Sequence, residues 1–267
     1  MREVKYLFKH LYELESFKED FNSAIITDID GTISEIVPTP SQAVIKPEIK
    51  DTMEKIAEKY KYAGVMTGRS INNALEMLES KKLIYIGNHG LEQYKNGKII
   101  VDAEVGKYIP IIKKLAEDIK KRLGEYKCIL FQNKELSFTV HYRLCENSDE
   151  IRKEALKVIK DLKESKSLKI AEGRKVIEIR PPIGHDKGTI LQKFISENNI
   201  KKIIYLGDDI TDSDAFKKLK ELKDKKSVES FTIVVISKET PNFVKESADF
   251  YVNNVDEVYK FLIWLSK

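Results

Sequence analysis

The stretch Ser23–Thr32 reads SAIITDIDGT. It ends an apolar, β-favouring run on two carboxylates, Asp28 and Asp30, with Gly31 and Thr32 directly behind them. Like charges at the end of a buried strand repel one another, so they require either a bound cation or a reaction that uses them. Three further clusters carry comparable chemistry. They are TGRS at Thr67–Ser70, HDKG at His185–Gly188 and GDDITDSD at Gly207–Asp214. Taken singly, each has a plain explanation: a turn, a helix cap, a helix start or a solvated loop. His185 by itself reads as a neutral polar neighbour, not a ligand. The four occur together, each at a strand end or a helix start. In a parallel sheet the carboxyl ends of the strands form the crevice where ligands bind, so the four would converge there.

The residue types state what such a crevice could do. Asp28, Asp30 and the acids of the last cluster make an oxygen-only cage, which suits Mg²⁺. A carboxylate beside that cation can attack phosphorus, and a second acid can move the proton. Thr67, the backbone amides after it and Lys187 are placed to hold phosphoryl oxygens.

The elements needed to position these clusters are legible in the chain. Residues 24–29, 62–68 and 83–90 read as strands. Pro47–Tyr60 and the segment after Ser70 read as helices, with Ser70 as N-cap. Asn96-Gly97 between β-favouring flanks signals a hairpin. From residue 106 to 182 the order changes to helix, two strands, helix, two strands, with its own antiparallel sheet. After Pro181 and Pro182 the alternation of helix and strand returns. The expected architecture is α/β: a parallel-sheet core from residues 1–105 and 183–267, interrupted by an α+β domain at 106–182.

Composition narrows the class. The chain has 267 residues, 42% hydrophobic, with 47 basic and 43 acidic residues and a net charge of +4. That supports a substantial core. No basic run is interleaved with aromatics, so a nucleic-acid groove is not expected, and Lys217–Lys226 reads as a solvated helix face. No stretch approaches the roughly 18 apolar residues of a membrane span. The first twenty residues lack the apolar core of a signal peptide. Cys128 and Cys145 lack metal-ligand spacing and read as buried thiols in a reducing compartment, so a cytoplasmic location is expected.

With its four motifs in this order, the sequence resembles the haloacid dehalogenase superfamily of phosphatases. Within it, the sequence resembles the trehalose-6-phosphate phosphatases. The segments Gly87–Glu92 (GNHGLE), Asn133–Arg143, Val176–Pro181 and Gly207–Phe216 carry the closer likeness. The resemblance implies a Rossmann-like core with an inserted cap. It implies Asp28 as nucleophile and Asp30 as general acid and base. Mg²⁺ would be held by Asp28, the Asp30 backbone carbonyl and Asp208, supported by Asp209 and Asp212. Phosphate would be held by Thr67, Gly68, Arg69 and Lys187. The sugar would be read by Asn88, His89, Lys134, Arg143 and Glu178. Ser213, Gln132 and His185 depart from the family's usual residues, and Gln132 bears on the sugar. The substrate implied is trehalose 6-phosphate, with sucrose phosphate or mannosyl-3-phosphoglycerate as neighbours. A phosphosugar mutase and a non-catalytic partner of a trehalose-phosphate synthase are the other readings.

Overall fold

The computed structural model describes residues 4–95, 97–183 and 186–267. Asn96 of the hairpin signal and His185 lie outside the described residues. In chain order the strands are β1 (Lys5–Tyr6), β2 (Ala24–Thr27), β3 (Tyr62–Met66), β4 (Ile84–Gly87), β5 (Glu92–Lys95) and β6 (Lys98–Val101). They continue as β7 (Leu130–Asn133), β8 (Phe138–His141), β9 (Lys169–Gly173), β10 (Val176–Arg180), β11 (Lys202–Gly207), β12 (Glu229–Val235) and β13 (Phe250–Val252). The helices are α1 (Glu15–Lys18), α2 (Pro47–Lys59), α3 (Ile71–Leu78), α4 (Ile109–Leu123), α5 (Ser148–Asp161), α6 (Lys187–Glu197), α7 (Ile210–Asp224), α8 (Asn242–Ser247) and α9 (Val255–Ser266).

The chain divides into two compact units. The first holds residues 1–36, 43–100 and 185–267, and the second holds 37–42 and 101–184. The division differs from the expected one in its boundaries, and in assigning the Pro-rich segment Val37–Gln42 to the second unit.

The first unit is built on a nine-stranded sheet ordered β1-β13-β12-β11-β2-β3-β4-β5-β6. From β1 to β4 every pairing is parallel, and β5 then runs antiparallel to β4. Ala24 and Ile26 of β2, with Ile203 and Tyr205 of β11, pack against Leu191, Phe194, Phe216 and Leu219 of α6 and α7. Ile25 and Val65 are equally buried one residue out of phase. Both faces are therefore covered, which is why the strands read as continuous apolar runs. β1, which was not expected, adds an edge strand through the register Lys5↔Phe250. Two residues carry too little periodicity to be seen in a sequence.

The chain leaves β2 for β3 on one side and enters β11 for β12 on the other. The strand order reverses between β2 and β11, and the crevice of such a sheet opens at that point.

The second unit has a four-stranded antiparallel sheet, β7-β8-β10-β9. Phe138, Val140, Ile177 and Ile179 alternate onto one face and pack with Ile112, Leu115 and Ile119 of α4 and with Ala155 and Ile159 of α5. The other face carries Gln132, Thr139 and Glu178 in register.

The cysteines correct an expectation. Cys128 and Cys145 are bonded to each other, with Cα atoms 5.0 Å apart. The β7–β8 hairpin pairs Leu130 with His141, which brings the segments just outside it together. Only the hairpin register creates this proximity, and a spacing of 17 residues does not announce it. Among the described residues no helix is long and apolar enough to cross a membrane.

Closing a loop of this size stabilises a fold by about 3 kcal/mol. Cys145→Ser should therefore lower stability by roughly that amount in denaturant titration. The wild type in reductant should match the variant, and identical curves with and without reductant would contradict the bond.

Candidate active site

Asp28 follows β2 directly. Its backbone N–H donates to Leu206 O of β11 at 2.8 Å, so it sits at the seam between the two central strands. Its Oδ1 accepts the N–H of Ile29 at 2.7 Å. Its Oδ2 lies 2.9 Å from Lys187 Nζ, at the first residue of α6. Lys187 Nζ also donates to Asp212 Oδ1 at 2.7 Å. One ammonium thus stands between two carboxylates, with Lys187 1% and Asp212 0% exposed.

Asp212 is fully engaged. Oδ1 accepts from Lys187 and from the Tyr205 hydroxyl at 2.6 Å, and Oδ2 accepts the amides of Asp208 and Asp209 at 3.1 and 3.0 Å. Four donors fill the acceptor positions of a carboxylate. Asp212 therefore orders the loop that carries Asp208, and Asp209 stands as the N-cap of α7. Gly207 permits the approach, since a Cβ there would come within 2.2 Å of Asp212 Cγ. Tyr205 was not singled out in the sequence. Its hydroxyl in the apolar run IIYL was the available signal.

Burial pushes the Asp28 carboxyl up to about 7; Lys187 opposes this, while Asp212 and Asp30 reinforce it. For Lys187, burial favours the neutral amine, but Asp212 and Asp28 outweigh it and hold the ammonium well above the usual lysine value. Burial, then Asp212, keeps the Tyr205 phenol well above its usual range.

Gly31 makes the bend after Asp28 with φ +79°, and Ile29 O receives the N–H groups of Thr32, Ile33 and Ser34. A Cβ at Gly31 would lie 2.0 Å from Asp208 Oδ2. Glycine is therefore required both for its backbone angle and for its lack of a side chain.

Asp30 does not join the buried cluster. Its half-exposed carboxylate is held by Arg69 in a two-pronged ion pair, Nε to Oδ2 and Nη2 to Oδ1, both 2.7 Å. Arg69 Nη1 donates to Asn73 Oδ1 at 2.6 Å. The guanidinium expected at a phosphate is thus directed at the expected acid and base. Thr67 is buried at the end of β3, and its Oγ1 accepts the Arg69 N–H at 3.2 Å. Asn88, expected at the sugar, is 1% exposed and donates to Glu92.

In the second unit Lys134 Nζ and Glu178 Oε1 form an ion pair at 3.0 Å, with side chains 10% and 9% exposed. These are not solvated surface charges. Arg143 donates to Arg174 O at 3.0 Å.

Carboxylate oxygens of Asp28, Asp208 and Asp212 lie within 4.8 Å of one another and could hold a metal ion. A buried all-oxygen donor set suits a hard divalent cation such as Mg²⁺. With the hydrogen bonds of Asp212 complete, Asp28 and Asp208 are the carboxylates best placed to meet it.

A raised carboxyl pKa stabilises the metal-free fold below the unfolded value near 4 and loses that contribution as pH rises through about 7. A cation competes with the same proton. The rise in melting temperature on adding Mg²⁺ should therefore be larger at pH 8 than at pH 6. A rise that is larger at pH 6 would contradict this account of Asp28. Gly31→Ala should abolish the Mg²⁺ effect altogether.

Residues 26–256 match the family model described as trehalose-phosphatase. Trehalose-phosphate phosphatase B of Arabidopsis thaliana is 30% identical over 273 residues, covering 93% of this chain and 69% of that protein. Among solved structures, the C. albicans trehalose-6-phosphate phosphatase C-terminal domain superposes with a TM-score of 0.82 at 20% identity, covering 99% of this chain and 98% of that one. The C-terminal domain of the Candida albicans trehalose synthase regulatory protein does so with a TM-score of 0.71 at 16% identity and full coverage of both chains. The chain belongs to the trehalose-phosphatase family, whose members are phosphoric monoester hydrolases.

Proposed function

We propose that this chain hydrolyses trehalose 6-phosphate to trehalose and inorganic phosphate through an aspartyl-phosphate on Asp28. The observation that carries the reading is the buried Asp28 carboxylate, fixed by Lys187 and the Ile29 amide at the switch point of the sheet. The fold alone would not suffice, because a regulatory protein's domain shares it. A domain without catalysis has no need to keep a strained charge arrangement, and here every carboxylate and the lysine are present.

An Asp28 oxygen attacks phosphorus, and the bond from phosphorus to the sugar oxygen breaks. Asp30 hands a proton to that leaving oxygen. Water then attacks phosphorus as Asp30 takes its proton, and the bond to Asp28 breaks to release phosphate. Lys187 remains beside the reacting oxygens throughout and offsets their charge. Thr67 and the Gly68 amide hold the phosphoryl group. Mg²⁺, when bound at Asp28 and Asp208, would supply further neutralisation of phosphoryl charge.

A phosphoryl group is the same on every sugar phosphate, so the choice of sugar falls to the second unit. Lys134 and Glu178 are the groups proposed to read its hydroxyls. Because they pair with each other, losing either removes a charged partner of the other. A synthase that makes a phosphorylated disaccharide is the proposed functional partner.

Phosphate release should be measured across trehalose 6-phosphate, sucrose phosphate, mannosyl-3-phosphoglycerate and a small aryl phosphate. The highest kcat/KM is expected for trehalose 6-phosphate, and a clear preference for another member would overturn the sugar. Asp28→Asn should fold and release no phosphate, because an amide cannot provide the attacking anion. Lys134→Ala and Glu178→Ala should each lower kcat/KM on the sugar phosphate about ten- to a hundredfold while sparing the aryl phosphate. The double variant should fall no further than the worse single one. Equal losses on both substrates would reduce the pair to a structural role.

A further inference from the structure

The turn between β4 and β5 holds two consecutive non-glycine residues in left-handed backbone, Asn88 at φ 47° and His89 at φ 53°. Such conformations are uncommon outside glycine, and two in succession persist only where their surroundings hold them. Here two backbone contacts and a ring contact lead to the Thr67–Ser70 loop. The Asn88 N–H donates to Arg69 O at 2.7 Å, and the His89 N–H donates to Thr67 O at 3.1 Å. The His89 ring lies against Gly68, where a Cβ would come within 2.6 Å of Nε2. The buried Glu92 closes the arrangement. Its Oε1 accepts both Asn88 Nδ2 at 2.5 Å and the N–H of Ile71, the first residue of α3, at 2.9 Å.

In a trans peptide the carbonyl and the following N–H point to opposite sides, and the described residues contain no cis bond. The turn draws the carbonyls of Thr67 and Arg69 toward itself. It therefore directs the amides of Gly68 and Ser70 the other way. The orientation of this amide edge is set by a turn that would relax without Glu92.

The geometry points to Glu92 as a positioning residue for phosphoryl binding, acting through Asn88 and the Ile71 amide on the Thr67–Gly68 edge. It rests on the reading that this edge holds the phosphoryl group. On this account Asn88 belongs to the same brace and does not touch the sugar. The effect concerns the phosphoryl group alone, so it is the same for any phosphate ester.

The test is calorimetric titration of the full Mg²⁺-loaded chain with inorganic phosphate, alongside steady-state kinetics on the aryl phosphate. Glu92→Ala should weaken phosphate binding and raise KM by about tenfold, the size of one lost hydrogen bond to a charged acceptor. Glu92→Gln keeps an oxygen where both donors point, and should restore affinity close to that of the wild type. Asn88→Gly is the second variant. Glycine is at ease at that φ, so the turn folds while its side-chain link to Glu92 is lost, and phosphate affinity should fall again. Wild-type phosphate affinity in folded Glu92→Ala or in Asn88→Gly would overturn the inference, whatever the melting temperatures. A wild type that binds phosphate but ignores trehalose 6-phosphate counts against the sugar reading alone.

Discussion

A lysine ammonium buried between two carboxylates organises the first unit. Lys187 reaches Asp28 at 2.9 Å and Asp212 at 2.7 Å, with almost no solvent contact. Leaving a buried ion-pair partner uncompensated costs about 3–5 kcal/mol, so these three residues require each other. They come from β2, from the start of α6 and from the first turn of α7. The ammonium consequently fixes the approach of two helices to the centre of the sheet. Asp212 extends the arrangement through Tyr205 and the amides of Asp208 and Asp209. The loop that carries Asp208 is ordered before any cation arrives.

The charge balance also explains why the cluster invites a ligand. One cation faces two anions in a dry environment, and burial drives Asp28 toward its protonated form. A hard cation or a proton relieves the same imbalance. That competition ties metal binding, pH and stability to a single carboxyl group.

The two outlying charge pairs follow another logic. Asp30 is gripped by Arg69 at the edge of the cluster, half exposed, where the proton transfer proposed for it would have room. Lys134 and Glu178 are both nearly buried on the polar face of the second sheet. An ion pair in that position is weak evidence for stability, since an apolar pair would serve at least as well. The recognition of hydroxyl groups proposed above would give it a reason to be there. The family's fold is shared with a regulatory domain, so side chains such as these, and not the topology, decide what each member does.

Much of this was legible in the chain alone. Long apolar runs and helical periodicity placed the strands and helices, because a strand covered on both faces cannot hide its composition. The four polar clusters stood out because three interrupt such a run at its end and the other opens a helix. The sequence alone also set Gly31 as a bend and Ser70 as a cap, since these are local consequences of residue type. What it did not determine were relations between distant residues. The two-residue β1, the Cys128–Cys145 bond, the Arg69–Asp30 pair and the Glu92 brace depend on which elements become neighbours. Asp212 is the clearest case. Its place in the motif suggests a supporting acid at the metal; the fold keeps it within reach of Asp28 and Asp208 and also surrounds it with four donors, which makes it an organiser of the loop. Residue type sets which bonds a group can make, but only the tertiary structure decides which partners arrive, because hydrogen bonds and ion pairs act over a few ångströms and carry no mark in the chain that joins them.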